Sequence, residues 1–129
     1  MNMKMLMAAA LVVAGTAASA APAAAWDLLG ERIVRDRMDQ DTIVLEGHRQ
    51  FSQIKICVYR HPVRIYDVDV RFNNGGHQDV EVRDRINPGG CTRDIDLKGD
   101  DRDIRNIKML YEETSWGRRK TATMRVFGR

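Results

Sequence analysis

From residue 51 to residue 126 one pattern repeats along this chain: apolar and polar residues alternate in short runs, and turn-forming residues separate the runs. In residues 51–59 (FSQIKICVY), Ile54, Ile56 and Val58 fall on one side, and Lys55, Cys57 and Tyr59 on the other. In residues 64–72 (RIYDVDVRF), Tyr66, Val68, Val70 and Phe72 face one way, and Asp67, Asp69 and Arg71 the other. Val80 and Val82 alternate with Glu81 and Arg83, and Ile95 and Leu97 with Asp94 and Asp96. Ile107, Met109 and Tyr111 follow the same rule, as do Ala122, Met124 and Val126. A period of two gives a strand one buried face and one wet face, as in antiparallel sheets.

The breaks between runs carry turn chemistry. Asn73-Asn74-Gly75-Gly76 and Asn87-Pro88-Gly89-Gly90 supply residues that tolerate positive φ. Lys98-Gly99-Asp100-Asp101 and Trp116-Gly117 mark two more breaks. Upstream, residues 41–46 (DTIVLE) read as a short strand, and residues 30–37 read as another. Short strands at this spacing predict an all-β, jelly-roll-like antiparallel sandwich of about seven to nine strands.

The N-terminus reads differently. Residues 1–25 hold no acid and one base, Lys4, followed by the apolar run 5–14 (MLMAAALVVA) and then small residues. This is the layout of a cleaved secretory signal peptide. Cleavage after Ala20 or after Ala25 satisfies the small-x-small rule, and the earlier site is preferred. The alternative is a retained anchor, but the stretch depends on Ala, Gly, Thr and Ser to reach the roughly 20 apolar residues a spanning helix needs. A periplasmic or secreted location is expected, with residues 26–129 as a single domain and no transmembrane segment in the mature chain.

Composition matters here mainly for what it removes. Loss of the leader takes away Lys4, so the formal charge falls from +3 to +2, by one base out of 21 against 18 acids. Charges of both signs interleave, which describes a solvated surface laced with ion pairs and argues against a nucleic-acid partner. The one local imbalance is Arg118, Arg119, Lys120, Arg125 and Arg129, with no acid among them. A monomer is expected.

Cys57 and Cys91 remain in the mature chain. In an oxidising compartment an even count invites a disulfide, here closing a loop of about 35 residues and contributing roughly 3–4 kcal/mol. Spacing alone does not show that the two Cα atoms come within bonding range. Cys57 lies in an alternating strand with no local signature of a nucleophile.

The sequence contains little recognisable catalytic machinery. Ser52 and Ser115, the serines of the mature chain, do not sit in G-x-S-x-G, and Gly89-Gly90 does not lead into a P-loop. His48, His61 and His77 have no His or Cys at metal-ligand spacing. The acids Asp94, Asp96, Asp100, Asp101 and Asp103 are the place to test for calcium. An EF-hand starting at Asp94 fails, however, because Lys98 and Arg105 occupy ligand positions. No metal or cofactor is expected. Carboxylate pairs of the glycosidase kind are too numerous in combination to single one out. Arg93, Asp96 and Arg102 are the first candidate binding residues, with an Asp96–Arg102 ion pair across the Gly99 turn as the structural alternative. Trp116, beside Arg118, suits stacking on a sugar ring.

Four stretches carry a family resemblance: Trp26-x-x-Leu29-Gly30-x-Arg32-x-Val34; Phe51-x-x-Ile54-x-Ile56-x-Val58; Gly89-Gly90-x-Thr92-Arg93-x-Ile95-Asp96-Leu97-x-Gly99-x-x-Arg102-x-Ile104-Arg105; and Ala122-Thr123-x-x-Val126-x-Gly128-Arg129. The chain resembles a family of small exported proteobacterial proteins that carries only a domain-of-unknown-function label. The resemblance covers essentially the whole mature chain. It implies a compact β-sandwich and offers no catalytic residues to carry over. A more generic similarity, an Ile-Asp-Leu strand before a glycine turn, is to the jelly-roll sandwiches of galactose-binding-like modules.

The function expected from these features is a non-catalytic envelope or secreted binding module, with a glycan or a protein as ligand. The alternatives are a small periplasmic hydrolase with a carboxylate site assembled by the fold, and a structural envelope-stress protein with no small ligand.

Overall fold

The structure is a computed structural model that describes residues 25–35, 38–99, 101–114 and 121–129. The expected leader up to residue 24 lies outside the described residues, as do Asp100, Trp116, Arg118, Arg119, Lys120 and the turn at Gly117. Nine strands form among the described residues. They are β1 (Asp27–Val34), β2 (Met38–Val44), β3 (Gln50–Phe51), β4 (Gln53–Tyr59), β5 (Val63–Phe72), β6 (His77–Ile86), β7 (Ile95–Asp96), β8 (Arg102–Glu113) and β9 (Ala122–Gly128). No helix among the described residues is long and apolar enough to cross a membrane.

Two antiparallel sheets share these strands. One has the order β1-β9-β4-β7; the other has the order β2-β8-β5-β6, with β3 paired to the start of β8. Along the chain the pairing describes a folded ribbon, in which β1 meets β9, β2 meets β8, β4 meets β7 and β5 meets β6. Rolling the ribbon adds two new seams, β9 against β4 and β8 against β5. That winding is the jelly roll, an all-β sandwich of two open sheets, edged by β1 and β7 in one and by β2 and β6 in the other. Two of the turns that join its strands place glycine at positive φ, Gly75 at 96° and Gly89 at 87°.

The apolar faces meet between the sheets. Ile54, Ile56 and Val58 from β4, Val68 and Val70 from β5, and Met124 and Val126 from β9 are each 0 % exposed. Ile104, Ile107 and Met109 of β8, in the same sheet as β5 and across the sandwich from β4 and β9, are also fully buried. Tyr111 joins them, and its buried hydroxyl donates to Asp41 of β2.

The alternation is broken where a bulge shifts the pairing. Tyr66 does not share the core face of Val68, Val70 and Phe72, because the register of β5 slips between Ile65 and Asp67. Val63 and Ile65 fill the interior on the near side of the slip, and the half-buried Tyr66 donates its hydroxyl to Glu112 at 2.7 Å. The first two strands begin three residues earlier than the runs at 30–37 and 41–46 suggest. The alternation from Asp94 to Leu97 forms a strand of only two residues, Ile95–Asp96.

Cys57 points away from the core with Lys55 and Tyr59, yet it is only 3 % exposed, because it is joined in a disulfide to Cys91. The two stand directly opposite each other across an isolated antiparallel bridge. Val58 N–H donates to Gly90 and Thr92 N–H donates to Ile56, one on each side of the bridge. Cys57 and Cys91 are therefore a non-hydrogen-bonded pair, whose Cα atoms approach more closely than those of a bonded pair.

Candidate functional site

The residues singled out from the sequence do not converge. Asp96 on β7 accepts from Gln53 Nε2 at 2.7 Å. Arg102 donates to the Lys98 carbonyl at 2.6 Å, and its guanidinium lies 3.8 Å from the centre of the Phe72 ring. The Asp96–Arg102 ion pair is therefore not formed, and each residue braces its own end of the turn. Arg93 reaches the Glu81 carbonyl at 3.4 Å, on the neighbouring sheet.

The acids proposed for calcium also go separate ways among the described residues. Asp94 faces Arg129 at 3.5 Å, and Asp101 is exposed. Asp103 lies 2.6 Å from His48 Nδ1 and accepts from the Arg49 N–H at 3.1 Å and from Asn73 Nδ2 at 2.9 Å. The His48 hydrogen bond, helped by those from Asn73 and Arg49, outweighs partial burial and holds the Asp103 carboxyl below its ordinary range. Asp103 is a brace between the 45–49 loop, the β5–β6 turn and β8.

A tighter cluster forms where no motif pointed. Asp69 and Asp79 are directly opposite each other on β5 and β6. His77 Nδ1 lies 3.2 Å from Asp69 and 3.9 Å from Asp79. The ligand atoms of the three all lie within 4.8 Å of one another. Arg71 Nε already occupies an Asp69 oxygen at 3.0 Å. Two like charges facing each other are unfavourable, and sharing a proton relieves them. The hydrogen bond to Asp69, with some desolvation and repulsion, raises the Asp79 carboxyl. Burial works against ionisation of Asp69, but hydrogen bonds from Asp79, Arg71 and His77 prevail and lower it. Two hydrogen-bonded carboxyls are closer than the roughly 5–5.5 Å of retaining glycosidases or the roughly 6.5–9.5 Å of inverting ones. The pair thus sets two carboxyls side by side on an open sheet face, one lowered and the other raised.

The outer face of the other sheet carries a groove of about 400 Å³. Its floor comes from strand register. Ile33, Thr123 and Tyr59 form one row across β1, β9 and β4, and Glu31, Arg125 and Cys57 form the next. Arg35, Arg60 and Thr121 complete the rim. Within it, Arg125 Nε meets Glu31 at 2.6 Å, and its guanidinium lies 4.8 Å from the centre of the Tyr59 ring. Arg35 and Arg60 have no partner among the described residues.

Arg60 also has an unusual backbone. Its φ is 80°, and the His61 N–H donates to the Tyr59 carbonyl at 3.1 Å, which makes Arg60 the centre of a γ-turn of the rare positive-φ kind. His61 Nδ1 lies 2.6 Å from the Thr121 carbonyl and pins that turn to the start of β9.

Farther along the same face, Leu28, Phe127 and Lys55 make a third row. Lys55 and Arg129 each stand 4.4 Å from the Trp26 ring centre. Trp26 is thus engaged by cations of its own chain.

The groove was hidden in the sequence because its parts come from three separated segments. A faint signal is Arg60-His61-Pro62, where a strand ends on a base and proline restricts what precedes it. The chain belongs to the family whose model, described as Domain of unknown function (DUF2541), matches residues 5–128. No curated protein matches it.

Proposed function

We propose that this DUF2541 member is an exported, non-catalytic binding module that holds an envelope glycan in the groove across β1, β9 and β4. The observation that carries the reading is the groove's lining. Guanidiniums from Arg35, Arg60 and Arg125, hydroxyls from Thr121 and Thr123, and the Tyr59 phenol surround about 400 Å³. Such a lining offers many hydrogen-bond donors together with the Tyr59 and threonine hydroxyls, which suits a sugar better than an apolar molecule. The Cys57–Cys91 disulfide supports export, since such bonds persist in oxidising compartments. The charge-poor, apolar start of the sequence agrees with that address.

Two measurements test the proposal. Mass spectrometry of the protein recovered outside the cytoplasm is expected to show a chain beginning at Ala21 or Trp26. A glycan array probed with that mature protein is expected to return a ligand whose binding falls when Arg125 or Tyr59 is replaced by alanine. Full-length protein in the cytoplasm, or no glycan bound at millimolar concentration, would refute the proposal.

The Asp69–Asp79 dyad favours a second reading, a hydrolase. It lies on the sheet opposite the groove, and its carboxyls stand too close for a glycosidic bond to pass between them. Polysaccharide turnover that disappears in Asp69→Asn would establish it.

A further inference from the structure

We infer that the groove's ligand is an anionic glycan, a sugar bearing a carboxylate or a phosphate, and that Arg60 is the residue that selects for the charge. This rests on the glycan reading above and narrows it. The charge in the groove is unbalanced, with three arginines against Glu31. Glu31 is already taken by Arg125 at 2.6 Å. Arg35 and Arg60 therefore present guanidiniums to one concavity with no acid partner among the described residues. Like charges gathered in a cleft focus the field and draw in an anion. The guanidinium fork matches the paired oxygens of a carboxylate or phosphate.

The backbone at Arg60 points the same way. A φ of 80° is a conformation that side chains avoid and glycine adopts freely. No partner of the Arg60 side chain among the described residues offsets that strain. The turn is nonetheless held in place by His61 against the Thr121 carbonyl. A strained residue, fixed by its surroundings and lining a groove, is what a prepared binding group looks like. Thr121, Thr123 and the Tyr59 hydroxyl are left to meet the sugar's own hydroxyls.

The test uses the mature protein and three probes of equal length: oligogalacturonate, the same oligosaccharide fully methyl-esterified, and a phosphorylated oligomannoside. Calorimetry is expected to show at least one acidic probe binding about tenfold or more tighter than the neutral ester, with an affinity that falls as salt rises. Arg60→Gly is expected to remove that preference without lowering the melting temperature, because glycine relaxes the turn. Arg60→Lys should keep part of it, as charge without the fork. If Arg60→Gly fails to fold, Arg35→Ala, at an exposed position, reads out the same loss.

Acid and ester binding equally well overturns the inference while leaving the glycan reading intact. An acid preference that survives Arg60→Gly in a folded protein also overturns it, and one that survives Arg35→Ala as well places the anion elsewhere. No binding of any probe overturns the inference, and together with a blank glycan array it overturns the glycan reading too.

Discussion

Gly30 is a glycine for reasons of space rather than of φ. A Cβ at that position on β1 would stand 2.5 Å from Ile43 Cγ2 on β2, closer than carbon atoms approach. Ile43 is 2 % exposed and has little room to give. Gly30→Ala is therefore expected to destabilise by about 1–3 kcal/mol, as overpacking does. Trimming the neighbour makes the space available, so Gly30→Ala with Ile43→Ala should lose clearly less than the two single changes summed; urea denaturation of the four proteins measures the coupling. Thr92, 6 % exposed, is the one buried polar residue among the described residues. Its hydroxyl accepts the Ile56 N–H at 3.0 Å and donates to the Arg93 carbonyl at 2.9 Å. Thr92→Val keeps the shape and strands the Ile56 N–H, so a loss of about 1–3 kcal/mol is expected, with Thr92→Ser recovering most of it.

Among the elements, β7 depends most on help from outside its own ladder. It is two residues long and pairs with β4 only at Gln53–Asp96 and Ile54–Ile95. The segment before it is held by the Gly90–Val58 and Thr92–Ile56 hydrogen bonds and by the disulfide across 34 residues of sequence separation. Replacing both cysteines by alanine should cost about 3–4 kcal/mol on the chain-entropy account. A reductant should move the wild-type denaturation midpoint to that of the double variant, and a wild type indifferent to reductant would contradict the expectation.

The same element shows what the sequence discloses. Ile95 and Leu97 are buried, with Asp94 and Asp96 outside, as the alternation says, because period-two patterning is local. That Cys91 lies opposite Cys57 depends on how the ribbon rolls, and no local pattern encodes it. Tyr66 fails for a related reason, since a bulge inserts one residue and reverses the alternation on one side of it. The groove and the Asp69–His77–Asp79 cluster are cross-strand neighbours, visible only once register is known. By contrast, Asp96 and Arg102 are close in sequence, yet each is held by another partner.

At the scale of the whole molecule, acids with opposite environments shape the dependence of stability on pH. Asp103, which ties a loop, a turn and β8 together, has its carboxyl lowered, first by His48. A lowered acid contributes stability that is present above its unfolded value of about 3.9 and is lost as pH falls through the folded value. Asp103→Asn should thus lower the melting temperature at neutral pH and flatten the acid limb of the profile. Asp79 is raised, chiefly by its hydrogen bond to Asp69. Its sign is reversed: its contribution is present at acid pH and is lost as pH rises through a folded value above the ordinary carboxylate range. At neutral pH the dyad therefore opposes folding, because two carboxylates face each other across β5 and β6 with Arg71 and His77 as partial compensation. Asp79→Asn keeps a hydrogen-bond donor toward Asp69 and removes the repulsion. It should melt higher than the wild type at pH 7, with the gain shrinking as pH falls toward the range where Asp79 is protonated anyway. A melting series from pH 3 to pH 8 on the three proteins separates the two signs. Asp79→Asn melting lower than the wild type at pH 7 would mean that the carboxylate is needed there in its ionised form, for instance to hold His77.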